Sequence, residues 1–148
     1  MSDTYSLIRR LMLAGTRMDG AYYYFARKSG IPENLLALLY ALDDEKPHSQ
    51  REICEDWLIP KTTVNTLVRE LVAQGHATLL PSHGREKTIE LTPSGRAYAQ
   101  KALQVVYEAE KAAMERTLAV CSPEFVDAME LFSKHICEEY KSHLSIEG

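Results

Sequence analysis

No run of apolar residues in this 148-residue chain approaches the roughly 18 that a membrane-spanning helix needs. The opening Met1-Ser2-Asp3-Thr4 has no basic start of the kind a secretory signal carries. The expectation is a soluble cytoplasmic protein with no membrane partner. Cysteine is scarce: Cys54, Cys121 and Cys137 are odd in number, widely spaced and form no C-x-x-C pair. That argues against a disulfide framework and leaves reduced thiols. A nucleophile elbow, a phosphate-cradling glycine loop and a pair of carboxylates suited to one cleft are all missing. An enzyme is therefore not expected, and neither is a cofactor. Metal-binding residue types recur at a useful spacing only at His135, Glu139 and His143, while His48, His76 and His83 are scattered. A solvated helix face accounts for the first group, and no metal is expected. Internal repeats and low-complexity tracts are absent too.

What is present suits one domain over 1–148, with 45% hydrophobic and 26% charged residues. The net charge of -4 is unfavourable for a partner rich in phosphate, so the distribution of charge matters more than its sum. Between Pro60 and Lys101 there are six cations against three acids; from Ala102 onward there are four against nine. The middle of the chain is locally basic, and the acidity lies in the C-terminal third.

Periodicity orders the chain. Leu7, Leu11, Ala14, Met18, Ala21 and Phe25 recur at steps of three and four, predicting a first helix over about 4–28. Gly30 then stops it and Pro32 opens a second, leucine-rich helix. After the polar break from Asp43 to His48, Ser49 and Glu52 have capping-box spacing, and Ile53, Cys54, Trp57 and Leu58 form the stripe of a third helix. Ile59-Pro60 leaves room only for a tight turn before a fourth helix, Lys61 to Gln74. Two short helices so linked predict a helix-turn-helix.

The fourth helix has two chemistries. Val64, Leu67, Val68 and Leu71 share one side, while Thr62, Asn65, Thr66 and Arg69 cluster on the other. After Gly75, the segments Ala77 to Leu80 and Lys87 to Leu91 alternate like strands around the turn material Pro81-Ser82-His83-Gly84, predicting a hairpin. Thr92-Pro93 restarts a helix along Tyr98, Ala102, Val105, Ala109 and Ala112. Ser122-Pro123-Glu124 starts a last one carrying Phe125, Met129, Phe132, Ile136 and Tyr140. The order is α-α-α-α-β-β-α-α, mainly α with a small β-hairpin wing.

A helix pair followed by a hairpin is the layout of a winged helix, whose second helix enters the major groove while the hairpin reaches the flanking minor groove. Asn65 suits adenine, Arg69 guanine, and threonine methyls and hydroxyls suit thymine methyls and phosphates. The expected DNA-binding set is Lys61, Thr62, Thr63, Asn65, Thr66, Arg69, His83, Arg85 and Lys87.

The stretches Thr62-Thr63-Val64-Asn65-Thr66-Leu67-Val68, Gly75-His76 and Gly84-Arg85-Glu86-Lys87-Thr88-Ile89-Glu90-Leu91-Thr92-Pro93-Ser94-Gly95-Arg96 resemble the MarR (multiple antibiotic resistance regulator) family. That resemblance implies a winged-helix lobe at 32–92, with 1–31 and 93–148 forming a helical dimerisation region. It also implies a homodimeric transcriptional regulator, a repressor bound to near-palindromic duplex operators and released by small phenolic ligands or by oxidation. The chain departs from the family pattern at His83, where an aspartate usually stands two residues before the wing arginine. The family's peroxide sensors carry a cysteine in the first helix, which has none here; Cys121, just before a helix start, is the candidate for a redox-sensing variant, since Glu55 and Asp56 oppose ionisation of Cys54.

Tyr22, Tyr23, Tyr24 and Phe25 are candidates to line a pocket for a small aromatic or phenolic effector, with core or dimer packing as the competing account. A winged-helix module that docks protein in place of DNA is the alternative in a different functional class, kept open by the Glu-rich C-terminal third.

Overall fold

Local signals set most of the helix ends. A computed structural model describes residues 2–81, 84 and 86–145. Helix α1, Asp3–Ser29, starts where the Ser2 hydroxyl accepts a hydrogen bond from the Tyr5 amide and ends at Gly30. Helix α2 is Glu33–Leu42; Pro32, at ψ 136°, is still extended and serves as N-cap, one position before the first helical residue expected of it. Strand β1, His48–Ser49, leads into helix α3, Gln50–Trp57. There Ser49 Oγ accepts from the Glu52 amide while the Glu52 carboxylate accepts from the Ser49 amide, which is the reciprocal capping box that the sequence predicts.

Helix α4 is Lys61–Ala73, followed by strands β2, Ala77–Pro81, and β3, Lys87–Leu91, then helices α5, Pro93–Leu118, and α6, Glu124–Leu144. The sheet runs β1-β3-β2, antiparallel throughout, with His48 opposite Ile89 and Leu79 opposite Ile89 from the other side. The predicted hairpin is thus two strands of a three-stranded sheet. Strand β1 is the addition, and it exists because β3 supplies its only ladder. The architecture is mainly α with a small β wing. Ser82, His83 and Arg85 lie outside the described residues.

The chain divides into two compact units, Met1–Tyr107 and Glu108–Gly148. The first holds one core: Leu36, Leu38, Leu39 and Leu42 of α2, Ile53 of α3, Val64, Val68 and Leu71 of α4, Ile89 and Leu91 of β3, and Ala99, Leu103 and Val106 of α5. Three expectations of facing change. Leu58, expected in the α3 stripe, is 85% exposed because its backbone at φ 52° leaves the helix, and Ile59 takes the buried place. In α5 the covered face is Gly95, Ala99, Leu103 and Val106; Val105 is exposed. That is about a quarter turn from the face expected on Tyr98, Ala102 and Val105. In α1 only Ala26 is buried, and Leu7, Met12 and Met18 are exposed. In the second unit no described residue is fully buried; Phe132 and Ile136 are half-covered and Tyr140 is exposed.

Candidate nucleic-acid interface

The left-handed Leu58 closes α3, and Pro60, extended at ψ 140°, opens α4 without a side-chain cap. Only Ile59 separates these two residues, and its burial fixes the turn to the core. Helix α4 then rests on Val64, Val68 and Leu71, all buried, with Leu67 partly so. This seating leaves Thr62, Thr66 and Arg69 exposed and Asn65 half-exposed on the far side. Thr63 sits to one flank and is half-buried.

Two of these side chains are held against the helix itself. Thr66 Oγ1 donates to the Thr62 carbonyl at 3.0 Å, and Arg69 Nε donates a long bond, 3.4 Å, to the Asn65 carbonyl. The hydroxyl of Thr66 can still accept a hydrogen bond, and the Nε bond of Arg69 does not use the donors on its two terminal guanidinium nitrogens.

The start of α4 and the root of the wing come together. Lys61 and Lys87 line one cavity of about 550 Å³ with Gln50, Arg51, Cys54, Glu55 and Glu86. Arg51 Nε donates to Glu55 Oε1 at 2.9 Å; that bond, then the charges of Glu55 and Glu86, holds the guanidinium above its ordinary pKa. The sequence reading missed Gln50 and Arg51, whose place between the capping residues Ser49 and Glu52 gave no sign that they border the wing. The wing residues His83 and Arg85 are outside the described residues.

The four aromatic candidates do not share a face, since consecutive helical residues point about 100° apart. Tyr22 and Phe25 turn inward onto the core. Tyr22 meets Tyr40 edge-on at 5.9 Å, and Tyr40 in turn meets Trp57 at 5.3 Å and Tyr107 at 5.8 Å. Tyr23 and Tyr24 are exposed, each beneath a cation, Arg27 and Lys28 respectively. Cys54 is half-buried, while Cys121 and Cys137 are exposed. His143 Nδ1 lies 2.7 Å from the Glu139 carbonyl, and among the described residues no three metal-ligating side chains are grouped.

The polar break before α3 is more engaged than its composition suggests. Tyr107 donates its hydroxyl hydrogen to Asp43 Oδ2 at 2.7 Å, and Arg96 Nη1 donates to Glu45 Oε1 at 2.9 Å. Asp44 pairs with His48 Nε2 at 2.7 Å. Burial alone would raise the Asp44 carboxyl, but the hydrogen bonds and charges of His48 and Lys46 outweigh it and hold the group below its ordinary value.

Residues 29–86 match the family model of the MarR family. No curated protein matches the chain. Among solved structures, it is similar to NMB1585, a MarR family regulator from Neisseria meningitidis, at 22% identity over 94% of this chain and 99% of that one, with a TM-score of 0.68. It is also similar to the transcriptional regulator BldR from Sulfolobus solfataricus, at 15% identity over 91% and 99% of the two chains, TM-score 0.65. NadR, solved in complex with 4-hydroxyphenylacetate, aligns at 13% identity over 90% of this chain and 94% of its own, TM-score 0.67. At these identities the likeness is one of fold, and the fold is that of MarR-family regulators.

Proposed function

We propose, from the match of residues 29–86 to the MarR family model, that this chain is a dimeric transcriptional repressor that reads near-palindromic duplex DNA and is released by a small aromatic effector. The observation that carries the reading is the two-sided α4. Its buried side locks it onto the core, so Thr62, Asn65, Thr66 and Arg69 are presented on a rigid element rather than a loop. Asn65 and Arg69 are the base readers in this scheme, and Lys61 at the helix start and Lys87 at the root of the wing bind phosphate. His83 and Arg85 are assigned to the wing on the hairpin pattern of the sequence and on the resemblance. Lobe and dimer regions are proposed at 32–92 and at 1–31 with 93–148.

Dimerisation is supported by what each unit leaves uncovered. Leu7 and Met18 in α1, and Phe125 and Met129 in α6, are exposed in the single chain. For the effector, the reading rests on Tyr22 and Phe25, the two candidates facing inward, and on the phenolic ligand of NadR.

The test is selection from a random duplex library followed by footprinting. A near-palindrome should emerge, its half-sites about 10 base pairs apart centre to centre, because a two-fold dimer presents both α4 helices to one side of the duplex. Recovery of no enriched sequence would refute DNA reading and favour a protein-docking module. Sedimentation at micromolar concentration should show a dimer, and a deletion of residues 1–28 should lose it.

A further inference from the structure

The segments Gly75-His76 and Thr92-Pro93-Ser94-Gly95 lie far apart in sequence yet make a single junction. The His76 amide donates to the Leu71 carbonyl at 2.8 Å, closing the end of α4. The His76 carbonyl accepts from the Thr92 amide at 3.0 Å. Thr92 Oγ1 then works in both directions: it donates to the Gly75 carbonyl at 2.6 Å and accepts from the Gly95 amide at 3.0 Å, capping α5. The His76 ring lies parallel to the Tyr98 ring, 4° between planes and 4.7 Å between centroids, with Nδ1 3.1 Å from Ser94 Oγ. Gly95 is buried, and a Cβ there would meet the His76 carbonyl.

We infer that Thr92 is a positioning residue for DNA reading, its hydroxyl locking the C-terminal end of α4 to the N-terminal end of α5 so that the two helices turn as one body. This rests on the reading of α4 as the base-reading helix. The physical reason is that one hydroxyl, beside the direct bond from the Thr92 amide to the His76 carbonyl, joins a carbonyl at the end of α4 to an amide at the start of α5. A helix end joined only by packing can tilt; one joined by two hydrogen bonds, a stacked ring and a glycine contact has one orientation. Base-edge readout depends on that orientation because bidentate bonds fail with small shifts, whereas phosphate attraction tolerates them. The clamp should therefore govern specificity more than overall affinity.

Two substitutions separate this role from plain stability. Thr92→Val keeps the shape and loses both hydroxyl bonds; Thr92→Ser keeps the hydroxyl. Each is compared with the full-length wild type on the duplex that the wild type itself selects and on random duplex, well below the melting temperature. Thr92→Val is expected to lose about tenfold on the selected duplex, the scale of one base contact, with random duplex changed less than about threefold. Thr92→Ser is expected to keep the wild-type ratio. The inference is overturned if Thr92→Val keeps the wild-type ratio, if both variants lose it equally, or if Thr92→Val weakens both duplexes by the same factor. A wild type that selects no sequence overturns the functional reading itself, which separates the two failures.

Discussion

Replacing Gly95 by alanine tests whether the α4 to α5 junction is as close as its geometry implies. On helix propensity alone Gly95→Ala should stabilise α5 by about 1 kcal/mol. The structure reverses the sign. An added Cβ would fall inside contact distance of the His76 carbonyl oxygen and carbon, which are backbone atoms and cannot rotate aside. The carbonyl is further held by the Thr92 amide at 3.0 Å, so relief requires moving the end of α4 or the start of α5. Overpacking of this kind costs about 1 to 3 kcal/mol and more where backbone must shift. With the cost at the upper end, about 3 kcal/mol, because backbone must move, a net loss of about 2 kcal/mol remains after the propensity gain, or a fall of roughly 4 to 8 °C in Tm for a chain of this size. Gly20→Ala is the control, since nothing lies within 4 Å of its added Cβ; it should hold or raise Tm. Both are read by thermal unfolding in circular dichroism at one protein concentration. If Gly95→Ala melts at or above the wild type, or shifts Tm in parallel with Gly20→Ala, the junction is not what holds α5.

Ser49→Ala removes half of the capping box on α3 and should destabilise the fold by about 1 kcal/mol, measured by urea titration; an unchanged midpoint would exclude that cap as a contributor. Arg69→Ala should cost about 1 to 3 kcal/mol on the selected duplex and blunt discrimination at one base position, whereas Lys87→Ala should weaken all duplexes alike and lower the slope of log affinity against log salt by about one per protomer. Equal losses on every sequence with equal slopes would contradict that division. Asp44, whose carboxyl is held below 3.8, binds a proton less readily folded than unfolded. Its contribution is present above that value and lost as pH falls through the depressed one. Asp44→Asn should therefore flatten the acid limb of the stability curve below about pH 4, and a limb identical to the wild type would rule the pair out.

The parts of the fold that were legible in the sequence are those whose cause lies within a few residues. Ser49 and Glu52 cap α3 because both members of the box are three apart, and Thr92 caps α5 ahead of Pro93 for the same kind of reason. The illegible parts have distant causes. Strand β1 is two residues long and exists only because Ile89 and Thr88 lie opposite. Asp43, Asp44 and Glu45 read as a solvated break, yet Tyr107 and Arg96, more than 50 positions onward, engage two of them. The covered face of α5 was misjudged because alanines and valines surround that helix, so periodicity alone could not separate the side on Leu103 from the side on Val105. In the candidate site, the outward set on α4 was visible from the 3.6-residue period, but the meeting of Lys61 with Lys87 and Arg51 depends on how the wing folds back.

The distribution of buried residues separates two sources of stability. Among the described residues every fully buried hydrophobic side chain falls between Ala26 and Val106, so the first unit, which carries α4, closes its own core. The flanking helices do not: α1 runs 27 residues with only Ala26 buried, and α6 runs 21 with none. Helices in proteins draw most of their stability from packing an apolar face, and these two have little such cover in the single chain. Leu7, Met18 and Leu131, each just over half exposed, would contribute about 1 to 2 kcal/mol apiece once covered, and Phe125 and Met129, already more than half covered, about 1 kcal/mol or less. Full cover of such a set is comparable with the lower end of the stability of an ordinary domain, about 5 to 15 kcal/mol. Association would then supply much of what a melting experiment measures, and Tm should rise with protein concentration. Substitutions in the core of the first unit, such as Gly95→Ala, should shift Tm by the same amount at every concentration, whereas Leu7→Ala or Met129→Ala should change the concentration dependence itself.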